Sequence, residues 1–239
     1  MKKYAIITAL LFGAGLLKAQ QPAAQATPKP ELPPGPLLNH APDMAQWTIS
    51  FRGAATVPDD KSAKPGEKPA FDTSDYRVAV VKTKPIYHIL MAMGNGEKMD
   101  KWCVGEVQVT KQPNAAYPIL STPSNKDAYY MDFSKQDFTG FGWISASNYQ
   151  GIKKVAGVDC MIFRDKIKSP VGGAADMVDA QAVIDVKSRL PLYLQVGEGL
   201  STYQYGNTPT ALQTPPTEVT ALIQQWRKRI QQASMLPPS

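Results

Sequence analysis

Residues 76–96 read YRVAVVKTKPIYHILMAMGNG, and the fold follows from this stretch. Tyr76 to Thr83 and Ile86 to Met93 are two short runs rich in β-branched, aromatic and long apolar residues. Lys84-Pro85 separates them, and proline cannot continue a central strand. Gly94-Asn95-Gly96 closes the second run with residues that tolerate positive φ, the signature of a tight turn. Strands joined by so few residues must be antiparallel. His88, Leu90 and Ala92 share one face of the second run.

Working outward, the same grammar repeats. In Gln46 to Arg52 (QWTISFR), Trp47, Ile49 and Phe51 alternate with Thr48 and Ser50, the period of a half-buried strand. Val57 to Ser74 is a polar, proline-containing insert that reads as a long loop. Lys101 to Thr110 (KWCVGEVQVT) reads as one further strand. Its faces are Cys103, Gly105, Val107 and Val109 on one side, and Trp102, Val104, Glu106 and Gln108 on the other. Gln112 to Asp127 is a connection with a short apolar piece at Tyr117 to Leu120. Ala128 to Phe133 reads as a strand, and Phe138 to Trp143 (FTGFGW) as a turn or an edge. Gly151 to Val155 and Val158 to Lys166 flank Ala156-Gly157, and Ala180 to Lys187 and Leu190 to Val196 flank Ser188-Arg189. Gly197-Glu198-Gly199 leads into Leu200 to Tyr205. The count is nine or ten strands at short spacing, with no long helix between them.

The last segment changes period. Val219, Leu222, Ile223, Trp226, Ile230 and Ala233 follow the 3.6-residue repeat of an amphipathic helix over 217–233, with Arg227, Lys228 and Arg229 in its later half. Its apolar stripe needs a partner, and the sheet is the one available; an amphipathic helix lying on a membrane surface is the rival reading, for which three clustered cations are few. The fold class read from these periods is therefore mainly β: one antiparallel sheet packed by one C-terminal helix.

The N-terminus is an address. Met1-Lys2-Lys3 precedes an apolar run from Tyr4 to Leu17 and then small and polar residues, the order of a secretory signal peptide over 1–19. Cleavage after Ala19 or after Ala26 fits, and the run is shorter than the ~20 residues of a spanning helix. The chain is expected to be exported, periplasmic or extracellular, with no transmembrane span after processing. Residues 20–44 hold Pro22, Pro28, Pro30, Pro33, Pro34, Pro36 and Pro42, and read as an extended solvated linker before a single domain at 45–239. His40 lies in this linker.

Composition excludes several classes. The chain has 239 residues, 2 Cys and 2 His, so it builds neither a Cys-rich zinc site nor a disulfide-dense scaffold. Removing Lys2, Lys3 and Lys18 from a +6 chain leaves +3, too mild for a nucleic-acid partner. No Walker loop, Gly-x-Gly-x-x-Gly, His-Glu-x-x-His or Gly-x-Ser-x-Gly occurs. His88 within the sheet is read as a structural residue, and Asp176 with Asp179 makes too few ligands for calcium. No cofactor, no metal and no catalytic residue is expected. Cys103 and Cys160, 57 positions apart, have two readings: a disulfide formed on export, or two buried free thiols. Met91, Met93, Trp102, Met131, Met161 and Trp226 are the candidate ligand-binding residues, because methionine surfaces adapt to greasy ligands. Ordinary core packing is the competing account of the same side chains.

Residues 149–163 (YQGIKKVAGVDCMIF) and 182–194 (AVIDVKSRLPLYL), with the later Tyr203-Gln204-Tyr205, resemble the periplasmic lipoprotein-carrier superfamily, the LolA/LolB-like outer membrane lipoprotein-sorting proteins. The resemblance spans roughly residues 140–216 and implies an incomplete barrel whose concave apolar face is covered by a helical lid and shelters lipid chains. The chain departs from that pattern where a Pro-rich segment replaces the N-terminal helix, and no family site residue is carried over. The reading is an exported, non-enzymatic domain that binds or carries an apolar ligand, a lipid or an acylated protein, in the concave face. The alternative is a cell-envelope interaction module that binds a protein through a sheet edge or the basic C-terminal helix.

Overall fold

A computed structural model describes residues 30–53, 57, 76–121, 136–169 and 177–234. The signal segment, the first part of the linker, all but Val57 of the 57–74 insert, the strand expected at 128–133, Met131 and Asp176 lie outside the described residues.

Among the described residues, eleven strands form one unclosed antiparallel sheet. In chain order they are β1 (Met44–Arg52), β2 (Tyr76–Thr83), β3 (Ile86–Met93), β4 (Lys98–Val104), β5 (Val107–Lys111), β6 (Ile119–Ser121), β7 (Tyr149–Val155), β8 (Val158–Lys168), β9 (Met177–Asp185), β10 (Pro191–Val196) and β11 (Gly199–Tyr205). Their spatial order is β6-β5-β4-β3-β2-β1-β11-β10-β9-β8-β7, so the sheet is two meanders joined where β1 pairs with β11. The two runs of the opening stretch are β2 and β3, hinged at Lys84-Pro85 with Thr83 opposite Ile86. One helix, α1 (Thr217–Ser234), follows the last strand. The architecture is a curved half-barrel with a C-terminal helix: the periodicities predict the antiparallel sheet and the helix, and the family resemblance implies the incomplete barrel.

One strand expectation is corrected. The segment Lys101 to Thr110 is not a single strand but the hairpin β4–β5, turning at Gly105-Glu106 with Val104 opposite Val107. Gly105 carries φ 62, a conformation that costs glycine little and other residues more. The turn reverses the chain, so Trp102 and Val109 face each other on the same side, and Cys103 faces Gln108 on the other. The expected grouping of Cys103 with Val107 and Val109 is therefore wrong.

The inner face holds the main core. Trp47, Ile49, Val78, Val80, Ile89, Cys103, Met161, Phe163, Ile184, Leu194 and Tyr203 are buried there. On the outer face, α1 sets Val219 and Ile223 against Trp102, Val107 and Val109, with Leu222 and Trp226 partly buried beside them. A second outer cluster gathers Cys160, Ile162, Val183, Tyr193 and Leu200.

Two further expectations change here. The helix does not cover the face that carries the main core; it packs on the opposite side of the β4–β5 hairpin, because that hairpin turns Trp102, Val107 and Val109 outward. Irregular chain covers the inner face instead. Leu32, Leu37, Leu38 and Ala41 of the Pro-rich segment, with Phe138, Phe141, Trp143 and Ile144, pack on the main core. The described part of the linker, 30–43, is thus a strap rather than a solvated tether. Proline bars a segment from a strand ladder, not from burying its leucines. The bridge considered for Cys103 and Cys160 is absent: both are free thiols, buried on opposite faces of the sheet with six strands between β4 and β8.

Candidate ligand-binding site

The inner face has two ends of different character. Rows of residues run across β1, β2 and β3 in register, and burial falls from row to row. Trp47, Val80 and Ile89 form one row at 2%, 1% and 2% exposure. In the next row Ile49 and Val78 are buried, but Met91 and its β4 partner Met99 are only half-buried. In the last row Phe51, Tyr76 and Met93 are all half-buried. The Phe51 and Tyr76 rings stack at 4.7 Å and 12°. This end, beside the Gly94-Asn95-Gly96 turn, is apolar, methionine-rich and partly open.

The other end is closed by the strap and by residues 136–148, and a buried polar clasp holds them. Alternation in β2 turns Lys82 inward with Val78 and Val80. Lys82 Nζ donates to Ala41 O (2.7 Å) and lies 3.0 and 3.1 Å from the two oxygens of Asp137. Asp137 also accepts from Tyr87 Oη (2.9 Å) and from the Ala41 N–H (3.0 Å). Both charged side chains are almost wholly buried, at 5% and 3% exposure. Burial, and then the adjacent Asp137 carboxylate, push the Tyr87 phenol well above its usual pKa, so it stays a donor. His40 sits 3.4 Å from Asp137 with its side chain in solvent. A hollow of about 280 Å³ opens among His40, Asp43, Lys82, Lys84, Tyr87 and Asp137.

A second anchor lies at the β9–β10 turn. Arg189, in the left-handed region at φ 59, donates through Nη2 to Pro34 O (2.8 Å) and through Nη1 to the sulfur of Met161. Its carbonyl accepts from Asn39 N (2.9 Å), and Asn39 Nδ2 donates to Ser188 O (2.8 Å). The strap is therefore tied at Pro34 and Asn39 to one strand turn, and at Ala41 to β2.

The expected ligand residues divide. Met91 and Met93 stand at the open end of the inner face, and Met161 is fully buried on the same face. Trp102 is on the outer face under α1, and Trp226 is on α1 itself, packed against that face, so neither lies on the inner face with them. Met99, grouped with these methionines by sequence as lying on or beside strands, is the β4 partner of Met91, whereas sequence reasoning missed Phe51 and Tyr76 as their neighbours, and missed the clasp. The signal for the clasp was present: Lys82 occupies an inward position in YRVAVVKT, where parity demands an apolar residue or a buried partner.

Other chemistry is sparse. His88 pairs with a single carboxylate, Asp100 (3.0 Å), and stacks on Trp102 at 4.0 Å and 12° on the outer face. Among the described residues no three His, Cys, Asp or Glu side chains gather as they would around a metal. A groove of about 590 Å³ over β8–β10 is polar, lined by Arg164, Asp165, Lys166, Asp179, Gln181 and Gln195. No described helix is long and apolar enough to cross a membrane.

No protein-family model and no curated protein matches the chain. Among solved structures it is similar to the lipoprotein LppX of Mycobacterium tuberculosis, at 13% identity over 72% of this chain and 90% of that one, with a TM-score of 0.39. It is also similar to a DUF1329 family protein from Desulfovibrio piger, at 13% identity over 71% and 86%, with a TM-score of 0.29.

Proposed function

We propose that this chain is an exported, non-enzymatic carrier that holds an acyl chain against the open end of the half-barrel's inner face. The observation that carries the reading is the fall in burial along the inner rows, which leaves Phe51, Tyr76, Met91, Met93 and Met99 half-exposed beside a sealed core. Contiguous apolar surface in water is costly, and methionine adapts its shape to an alkyl partner. The strap fills the opposite end of the face, so the ligand enters from the methionine end. The signal-like N-terminus and the resemblance of residues 140–216 to envelope lipoprotein carriers support the same reading.

The test is binding of an apolar fluorescent probe to the wild type and to a Met91→Asp/Met93→Asp variant. Two carboxylates on that face should abolish the fluorescence gain. Leu90→Asp serves as control, since Leu90 points to the outer face of the same strand and is already 45% exposed. Unchanged binding in the double variant, or equal loss in the control, overturns the assignment.

A further inference from the structure

Helix α1 is amphipathic along its whole length, but the sheet covers only its first half. Val219 and Ile223 are 4% exposed each, and Leu222 and Trp226 are partly buried against Trp102, Val107 and Val109. Beyond Trp226 burial stops: residues 227–232 are all exposed, and Ile230 stands 53% in solvent. At 3.6 residues per turn Ile230 lies within about 20° of Val219, so it continues the buried stripe past the edge of its partner. Arg227 and Arg229 flank Ile230 at about 60° and about 100° on its two sides, with Lys228 between them on the far face. Among the described residues none of these three cations has a carboxylate partner. The helix's one acidic residue, Glu218, is at its other end, paired with Lys111 at 3.5 Å.

We infer that this free half of α1 is a docking surface for an anionic lipid surface. Three unpaired cations call for a negatively charged partner, and an aliphatic side chain set between two arginines calls for one that also offers an apolar layer just beneath its charge. The boundary between headgroups and acyl chains provides both within one helix diameter. An acidic protein surface would satisfy the arginines but would leave the position of Ile230 unexplained. Trp226, half-buried at the junction, adds a ring of the kind that settles at such boundaries. This surface lies on the opposite face of the sheet from the methionine end, so docking leaves the open end of the inner face uncovered.

The experiment is flotation of the protein, expressed from its full coding sequence, with vesicles of phosphatidylcholine alone and of two parts phosphatidylcholine to one part phosphatidylglycerol. The expected result is binding to the anionic vesicles only, weakening from roughly 0.1 to 0.5 M salt as the Debye length shrinks. Arg227→Gln/Lys228→Gln/Arg229→Gln should lower partitioning by about a hundredfold, since each cation near an anionic surface contributes about fivefold. Ile230→Gln should lower it by about tenfold. All four side chains are exposed, so the urea midpoint of each variant should match the wild type. Equal binding to neutral vesicles overturns the inference, as does undiminished binding of the triple variant. An Ile230→Gln variant that binds like the wild type, while soluble polyglutamate competes fully, assigns the surface to an acidic protein instead and also overturns it. Neither variant touches the inner face, so probe binding measured without vesicles reports on the carrier reading separately.

Discussion

Replacing Lys82 by Met tests how the strap is held. The substitution keeps the volume of the side chain's stem and removes the charge that faces Asp137. Asp137, at 3% exposure, would keep the Tyr87 hydroxyl and the Ala41 N–H but lose an ammonium 3.0 Å away. Stranding one member of a buried pair costs about 3–5 kcal/mol, and the freed Ala41 carbonyl adds about 1 kcal/mol. That is a large part of the 5–15 kcal/mol by which a domain of this kind is stable. Lys82→Met/Asp137→Leu removes both charges and should recover most of the loss, ending within about 2 kcal/mol of the wild type. Tyr87→Phe removes one donor to a carboxylate and should cost about 1.5 kcal/mol. Urea denaturation followed by far-ultraviolet circular dichroism reads all of these. A loss below about 1 kcal/mol in Lys82→Met, with the double variant simply additive, would show that the clasp is solvated and does not fasten the strap.

Three further expectations follow from packing and titration. Ile223→Ala should cost about 2–3 kcal/mol in urea denaturation, because Ile223 is one of two fully buried anchors of α1; no change would mean that the helix is not docked. Gly199→Ala should cost about 1–3 kcal/mol, since a Cβ there would stand 2.8 Å from the Phe51 ring and disturb its stack on Tyr76; a neutral result would show the ring free to move. Burial, and then the nearby Asp185 carboxylate, push the Cys160 thiol from its ordinary 9 up to about 12, so it should resist iodoacetamide at neutral pH until the chain unfolds. The unfolded chain releases that proton first, so this contribution to stability is intact below pH 9 and lost as pH rises through about 12. Rapid native labelling of Cys160 contradicts its burial.

Period-two alternation made most of the sheet legible. β2 and β3 begin and end where the sequence changes character, at Lys84-Pro85 and at Gly94-Asn95-Gly96, because those breaks combine a lost donor with permitted positive φ. The helix was equally plain from its 3.6-residue stripe. Gly105-Glu106 was harder. Strand-forming residues stand on both sides of it, and a single glycine inside such a run is compatible with a bulge, a weak strand or a hairpin. That one turn decides which face Trp102 and Val109 occupy, and so which face the helix covers. The strap was illegible for a different reason. Leu32, Leu37 and Leu38 follow no periodicity, and irregular chain packs by the accident of what lies beneath it. Of the candidate ligand residues, Met91 and Met93 could be placed together from their spacing on one strand, whereas Met99 joins them only through register across β3 and β4.

Native mass spectrometry of the protein purified from cells that make it bears most directly on the carrier reading. The account predicts a chain carrying the added mass of an acyl lipid, released on denaturation and missing from Met91→Asp/Met93→Asp. A wild type that flies at its bare mass, even after incubation with lipid extract, would contradict it.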